Sequence, residues 1–213
     1  MRFIAIVTLF LLFFSSKALP LNAQQTSALD KRSQPVFGLL AGSSYSHIRY
    51  EIDLRNIMPS TGYYVGLSLT TYPFKKLNRL TLLGELGVVR KGYKQELGQR
   101  YDFNFNYLTL PILLEYDLIK SISLQGGVAG NKLISTSVEQ GTLTYNNYDL
   151  DLIGGVNFFK NRKINVFTRV VYGVYSVLDY YEIDPLGNFT SEIRDIKHFN
   201  IIAGLKLNFN DNQ

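Results

Sequence analysis

The chain has no cysteine, no tryptophan and only 6 prolines in 213 residues. Without cysteine there is no disulfide framework, no thiolate metal site and no lipid-modified cysteine to serve as an anchor. Charge is also scarce, at 18% of residues against roughly 25% in an ordinary soluble domain. No apolar run reaches the roughly 20 residues that a membrane helix needs. With mean hydropathy near zero, a helical membrane protein and a disordered chain are both excluded. What is plentiful is aromatic side chain: 15 tyrosines and 14 phenylalanines, 14% of the whole. One domain is the expectation at this length.

The first residues read as an address. Met1-Arg2 is basic, Phe3 to Phe14 is an apolar run broken only by Thr8, and Leu21-Asn22-Ala23 supplies a small-residue cleavage site. Residues 1–23 are therefore expected to be a signal peptide cleaved after Ala23. Residues 24–35 are a polar, aperiodic lead-in, and 36–213 the barrel described next. Losing Arg2 and Lys17, with no acid among residues 1–23, lowers the net charge from +5 to +3. Scattered basic residues on an exported chain leave no nucleic-acid footprint.

From Val36 the hydropathy alternates with period two. Tyr63, Val65, Leu67 and Leu69 alternate with Gly66, Ser68 and Thr70. Leu150, Leu152, Val156 and Phe158 alternate with Asp149, Asp151, Gly155 and Asn157. Phe199, Ile201, Ala203, Leu205, Leu207 and Phe209 alternate with Asn200, Gly204, Lys206 and Asn208. This period sets one face of each strand against an apolar medium and the other against something polar. Eight strands are expected, near 36–46, 62–74, 80–93, 105–117, 121–132, 147–159, 164–178 and 198–210. Long connections near 47–61, 94–104, 133–146 and 179–197 alternate with short ones at 75–79, 118–120 and 161–163. The fold class is all-β: an eight-stranded antiparallel up-and-down transmembrane β-barrel, with the long connections outside and the short turns inside.

A soluble lipocalin-like barrel also alternates, and the aromatic spacing argues against it. Tyr63 and Tyr72, Tyr107 and Tyr116, Tyr148 and Phe158, and Phe199 and Phe209 are nine or ten residues apart. Ten tilted residues cover roughly 24 Å of barrel axis, close to the apolar band between two aromatic girdles. With the apolar register outward, Glu85, Glu115, Gln125, Asn157, Asn165, Arg169, Lys206 and Asn208 point inward. Glu85, Glu115, Arg169 and Lys206 fall at similar depth and are expected to form an interior polar network, because a filled polar lumen needs paired charges. The lumen is then closed to bulk flow.

Four stretches carry a family resemblance: Phe37 to Gly42 (FGLLAG), Gly84 to Lys94 (GELGVVRKGYK), Tyr107 to Leu118 (YLTLPILLEYDL) and the closing Phe199 to Phe209. In these the chain resembles the PorT-like outer-membrane β-barrel proteins of Bacteroidetes-type Gram-negative bacteria. The resemblance implies an eight-stranded barrel in the cell outer membrane with no shared catalytic residues. One namesake member takes part in protein secretion.

Motifs for chemistry are sparse. Gly126 to Lys132 has glycines and a lysine, but neither the spacing nor the following Ser/Thr of a phosphate loop, and no GxSxG or HExxH occurs. No cofactor, metal or catalytic residue is expected, and the chain is read as a non-enzyme with a structural or interaction role. Two alternatives stay open. One is a component of a secretion or envelope complex. The other is an outer-membrane enzyme with a rim site near His47 and His198, which barrel closure brings onto neighbouring strands near Ser46, Glu51 and Asp195. Loop 179–197 carries five acids against Arg194 and Lys197, a net of −3, and with Tyr180, Tyr181 and Phe189 is a candidate binding surface. Expected partners are outer-membrane lipid and, left open, another envelope protein; the sequence does not address oligomeric state.

Overall fold

The computed structural model describes residues 35–49, 56–73, 77, 79–97, 99–137, 144–160, 162–183, 189–193 and 196–209. The signal peptide, its cleavage point and the lead-in up to residue 34 lie outside the described residues, as do Glu51 and Asp195.

Among the described residues eleven strands follow in chain order: β1 (Val36–Arg49), β2 (Ile57–Thr71), β3 (Leu80–Leu97), β4 (Gln99–Ile119), β5 (Ile122–Thr136), β6 (Thr144–Tyr145), β7 (Tyr148–Phe158), β8 (Ile164–Gly173), β9 (Leu178–Ile183), β10 (Phe189–Ile193) and β11 (Lys197–Asn208). Eight of them close a barrel in the order β1-β11-β8-β7-β5-β4-β3-β2, every neighbour antiparallel. The other three, β10-β9-β6, form a small sheet within the outer connections.

Period two decides what each strand buries. Along β1, Val36, Leu40, Ser44, Ser46 and Ile48 are buried, while Phe37, Leu39 and Tyr45 are exposed. The same division runs round the ring: Leu67, Leu114, Val128, Leu152, Val170 and Leu205 all present themselves outward. A soluble monomer rarely leaves more than a few hundred Å² of contiguous apolar surface uncovered; here the apolar face encircles the barrel.

The closing seam depends on close approach of two backbones. Gly42 and Gly204 are register partners across β1 and β11. A Cβ on Gly42 would lie 2.6 Å from the Ala203 carbonyl oxygen. One on Gly204 would lie 2.5 Å from that of Ala41 and 2.7 Å from the Phe167 ring. Pro111 sits inside β4, and the β3–β4 ladder has no bridge between Gly84↔Ile112 and Gly87↔Thr109. Proline offers no N–H to that ladder.

Three expectations are corrected. Residues 94–104 are not a loop: β3 and β4 run on together until Leu97 pairs with Gln99. The alternation fades there because Lys94, Gln95, Glu96, Arg100 and Asp102 have water on both faces, so nothing selects an apolar register. The strand expected over 164–178 stops at Gly173, and Leu178 onward belongs to the small sheet. The girdle holds for ten-residue spacings and fails for a nine-residue one. Tyr148 and Phe158 are both exposed outward, and Phe209 is exposed on the face it shares with Phe199, whereas Tyr107 is buried and Tyr116 exposed. An odd spacing in an unbroken strand puts its two ends on opposite faces.

Gly204→Val is expected to destabilise the barrel by about 1–3 kcal/mol through overpacking at the seam. Gly154→Val is expected to change little, since a Cβ at Gly154 meets nothing within 4 Å. Urea midpoints of refolded protein, read by heat-modifiable gel mobility, check both.

Candidate functional site

The lumen is filled in layers, each built from inward positions of several strands. Lowest, toward the short turns, Glu85 (β3) and Arg169 (β8) form a bidentate pair, Arg169 donating from both terminal nitrogens at 2.7 Å. Its Nε donates to Gln125 at 2.9 Å, and Gln125 donates onward to Glu115 at 2.6 Å. The Tyr64 hydroxyl donates to Glu85 at 2.6 Å. Bidentate guanidinium–carboxylate geometry gives both strength and direction, and here it ties strands on opposite sides of the ring.

Of the four residues singled out in the sequence, all are buried and all share this layer: Glu85 1%, Arg169 2%, Glu115 3% and Lys206 5% exposed. They do not all pair with one another. Lys206 donates to the Thr70 hydroxyl at 2.7 Å. The cation on Glu115 is Lys160, at 2.9 Å, reaching in from the β7–β8 turn, where it also pairs with Asp117 and donates to Thr81 at 3.1 Å. Burial alone would push the Lys160 ammonium down. The Glu115 carboxylate, with Asp117 beside it, outweighs this and holds it above the usual lysine range.

Above this layer the lumen turns apolar. Tyr64, Val89, Pro111, Ile153, Val171 and Ile202, with Thr109 and the flanking Lys91, Asp151 and Arg169, line a cavity of about 20 Å³, room for about one water. A second ionic layer follows, six residues farther along β3, about 15 Å higher. There Lys91 bonds Asp149 at 3.0 Å and Asp151 at 2.8 and 2.9 Å, and Asn131 donates to Asp151 at 2.8 Å. All four are buried. The sequence reading missed this layer and Lys160. Its signal was parity: Lys91 shares the inward register of Glu85, and Asp149 and Asp151 alternate with Leu150 and Leu152.

Rings cap the outer end. Tyr107 meets Lys91 face-on at 5.1 Å and His198 edge-on at 5.8 Å. Phe105 contacts His198 and Tyr145, and Tyr93 stacks on Phe103 at 4.6 Å.

The rim site expected near His47 and His198 is not formed. His47 pairs with Phe199, and His198 with Ile48. Adjacent positions face opposite ways, so His198 lies wholly inside the lumen and His47 on the outer face. Ser46 is inside as well, donating to Asn200. Among the described residues no cluster of three His, Cys, Asp or Glu is arranged to hold a metal. What this arrangement does chemically is cross-brace the ring and obstruct the bore at two ionic levels.

A family model described as an outer membrane protein beta-barrel domain matches residues 22–179. Among solved structures, the chain is similar to Neisserial surface protein A (TM-score 0.49, 14% identity, 81% of this chain and 97% of that one). It is similar also to the attachment invasion locus protein Ail of Yersinia pestis (TM-score 0.47, 15% identity, 83% and 99%). The outer membrane protein OprG of Pseudomonas aeruginosa gives a TM-score of 0.47 at 11% identity over 84% and 97%. No curated protein matches the chain significantly.

Arg169→Leu is expected to destabilise by about 3–5 kcal/mol, because it strands the Glu85 charge in the lumen. Adding Glu85→Leu is expected to restore much of the loss; urea midpoints of both variants test this. Lys160 makes a pH prediction. Its pKa is raised on folding, so its stabilisation is complete below the unfolded lysine range, near ~10.4, and fades as pH rises through the folded value. The wild-type advantage over Lys160→Met is thus expected to be full at neutral pH and to shrink in strong alkali, measured by the same midpoints.

Proposed function

The chain belongs to the family of outer membrane protein beta-barrel domains, and from that premise we propose that it is a sealed, non-enzymatic barrel whose role is structural or interactive. Its place is the outer membrane. The observation that carries the sealed-lumen reading is the stack of two ionic layers, Glu85–Arg169 and Lys91–Asp149–Asp151, on either side of an apolar constriction. An ion entering the bore meets fixed partners already paired, then a mostly apolar segment with room for about one water. The cost of an unpaired charge there is several kcal/mol.

Support for an interaction role comes from the outer end. The β3–β4 hairpin continues past the apolar band with Arg100, Tyr101 and Asp102 exposed near its tip, and the β6–β9–β10 sheet adds ordered backbone beside the mouth. Chain that only closed a barrel end would need neither. We place the protein in the PorT-like branch on the strength of the four stretches quoted above, with another envelope protein as the partner class that these outer elements meet. The separation of His47 from His198 removes the geometry on which a rim-site enzyme rested.

Planar-bilayer recording of the refolded barrel is expected to give a flat baseline. Persistent ohmic steps from pure wild-type protein would refute the sealed lumen. A photo-crosslinker at Tyr101 in intact envelopes is expected to trap a protein adduct that one at Lys163, in an inner turn, does not.

A further inference from the structure

The outer face of the β8–β11–β1 seam carries charge where a lipid-facing surface has least use for it. Arg49 and Lys197 are register partners at the outer ends of β1 and β11, two residues beyond Phe199. Phe199 lies ten residues from Phe209 at the opposite boundary, so the pair sits roughly 5 Å past the outer edge of the apolar band. That is headgroup depth. Immediately below them His47, Phe199 and Tyr172 form one outward row across the three strands.

The guanidinium of Arg49 is fixed in place. It lies over the Tyr172 ring, 3.4 Å from the centroid, and donates to the Tyr172 hydroxyl and, at 3.1 Å, to the Gly173 carbonyl. Its Nε is enclosed with no acceptor, and so is His47 Nδ1 on the same face. Among the described residues no carboxylate is paired with Arg49 or Lys197. On β7, beyond β8, Asp149 and Asp151 face the lumen and are engaged by Lys91. Two cations with no carboxylate partner among the described residues and an aromatic floor therefore stand at the level of the outer-leaflet headgroups. Cations without a carboxylate partner at that depth favour an anionic ligand.

We infer that Arg49 and Lys197, with His47 and Tyr172 beneath them, form a binding site for the phosphate headgroup of an anionic lipid in the outer leaflet. The guanidinium supplies directional N–H donors that match phosphate oxygens, and the ammonium supplies a second charge. Tyr172 fixes the plane and position of the guanidinium. The lipid's chains then lie along the column of Phe199, Ile201 and Leu205. This rests on the outer-membrane placement and not on the sealed lumen, so a conducting barrel would leave it intact.

The test uses full-length barrel in nanodiscs of phosphatidylcholine mixed with phosphatidylglycerol, with the lipids retained on the released protein counted by native mass spectrometry. Wild type is expected to retain phosphatidylglycerol selectively, and Arg49→Ala with Lys197→Ala to lower that retention roughly 30-fold. Tyr172→Phe, which removes only the hydroxyl, is expected to lower it less. Arg79→Ala with Lys163→Ala removes the same charge at the opposite rim and is expected to leave retention unchanged. Heat-modifiable mobility certifies folding, and Lys197→Ala alone carries the test if the double variant does not fold. Equal retention of the two lipids by wild type, or undiminished retention by the folded variant, would overturn the site. Displacement of the lipid by excess inorganic phosphate would assign the site to free phosphate and overturn the lipid.

Discussion

Backbone pairing without an edge is the constraint on which the rest of this structure depends. In hydrocarbon no water is available to an unpaired N–H or C=O, and each one costs several kcal/mol. The twelve-rung ladder between β1 and β11, from Gly38↔Asn208 to Arg49↔Lys197, removes the last edge. The two backbones approach so closely at this seam that it tolerates no bulk at Gly42 and Gly204.

Once the ring is closed, the lumen becomes a narrow interior with strand faces of fixed parity, and its contents follow from polar satisfaction. Most charged groups are admitted in sets, Lys206 on the Thr70 hydroxyl being the exception among the described residues. Glu85 has Arg169 and Tyr64, Glu115 has Gln125 and Lys160, and Lys91 has two aspartates. The sets span non-adjacent strands, so they also fix the cross-section, a task that backbone ladders running round the wall cannot perform. Between the sets the bore is lined mostly by apolar side chains, Val89, Pro111, Ile153, Val171 and Ile202 among them. Obstruction and bracing are thus one arrangement seen from two directions.

The outside obeys the opposite rule, and its exceptions carry the information. Leucine, valine and isoleucine cover the middle, tyrosine and phenylalanine mark the boundaries, and Arg49 and Lys197 stand past the outer boundary. Position on the strand, and not burial, separates these cations from the lipid-facing residues below them.

The sequence by itself determined the class of fold and the medium on its two faces, because period two and strand length are local properties. It also determined which residues face inward, including Glu85, Glu115, Arg169 and Lys206. Parity held wherever it was applied, and the one aromatic that misled, Tyr107, did so because its nine-residue spacing from Tyr116 was read without it. The extension of β3 and β4 was illegible, since a strand with water on both faces leaves no alternation to detect. Only the tertiary structure decided who pairs with whom. Depth along a tilted strand depends on the register of all eight strands at once, so Glu115 met Lys160 from a turn, Lys206 met Thr70, and His47 and His198, neighbours in every linear estimate, came to rest on opposite sides of the wall.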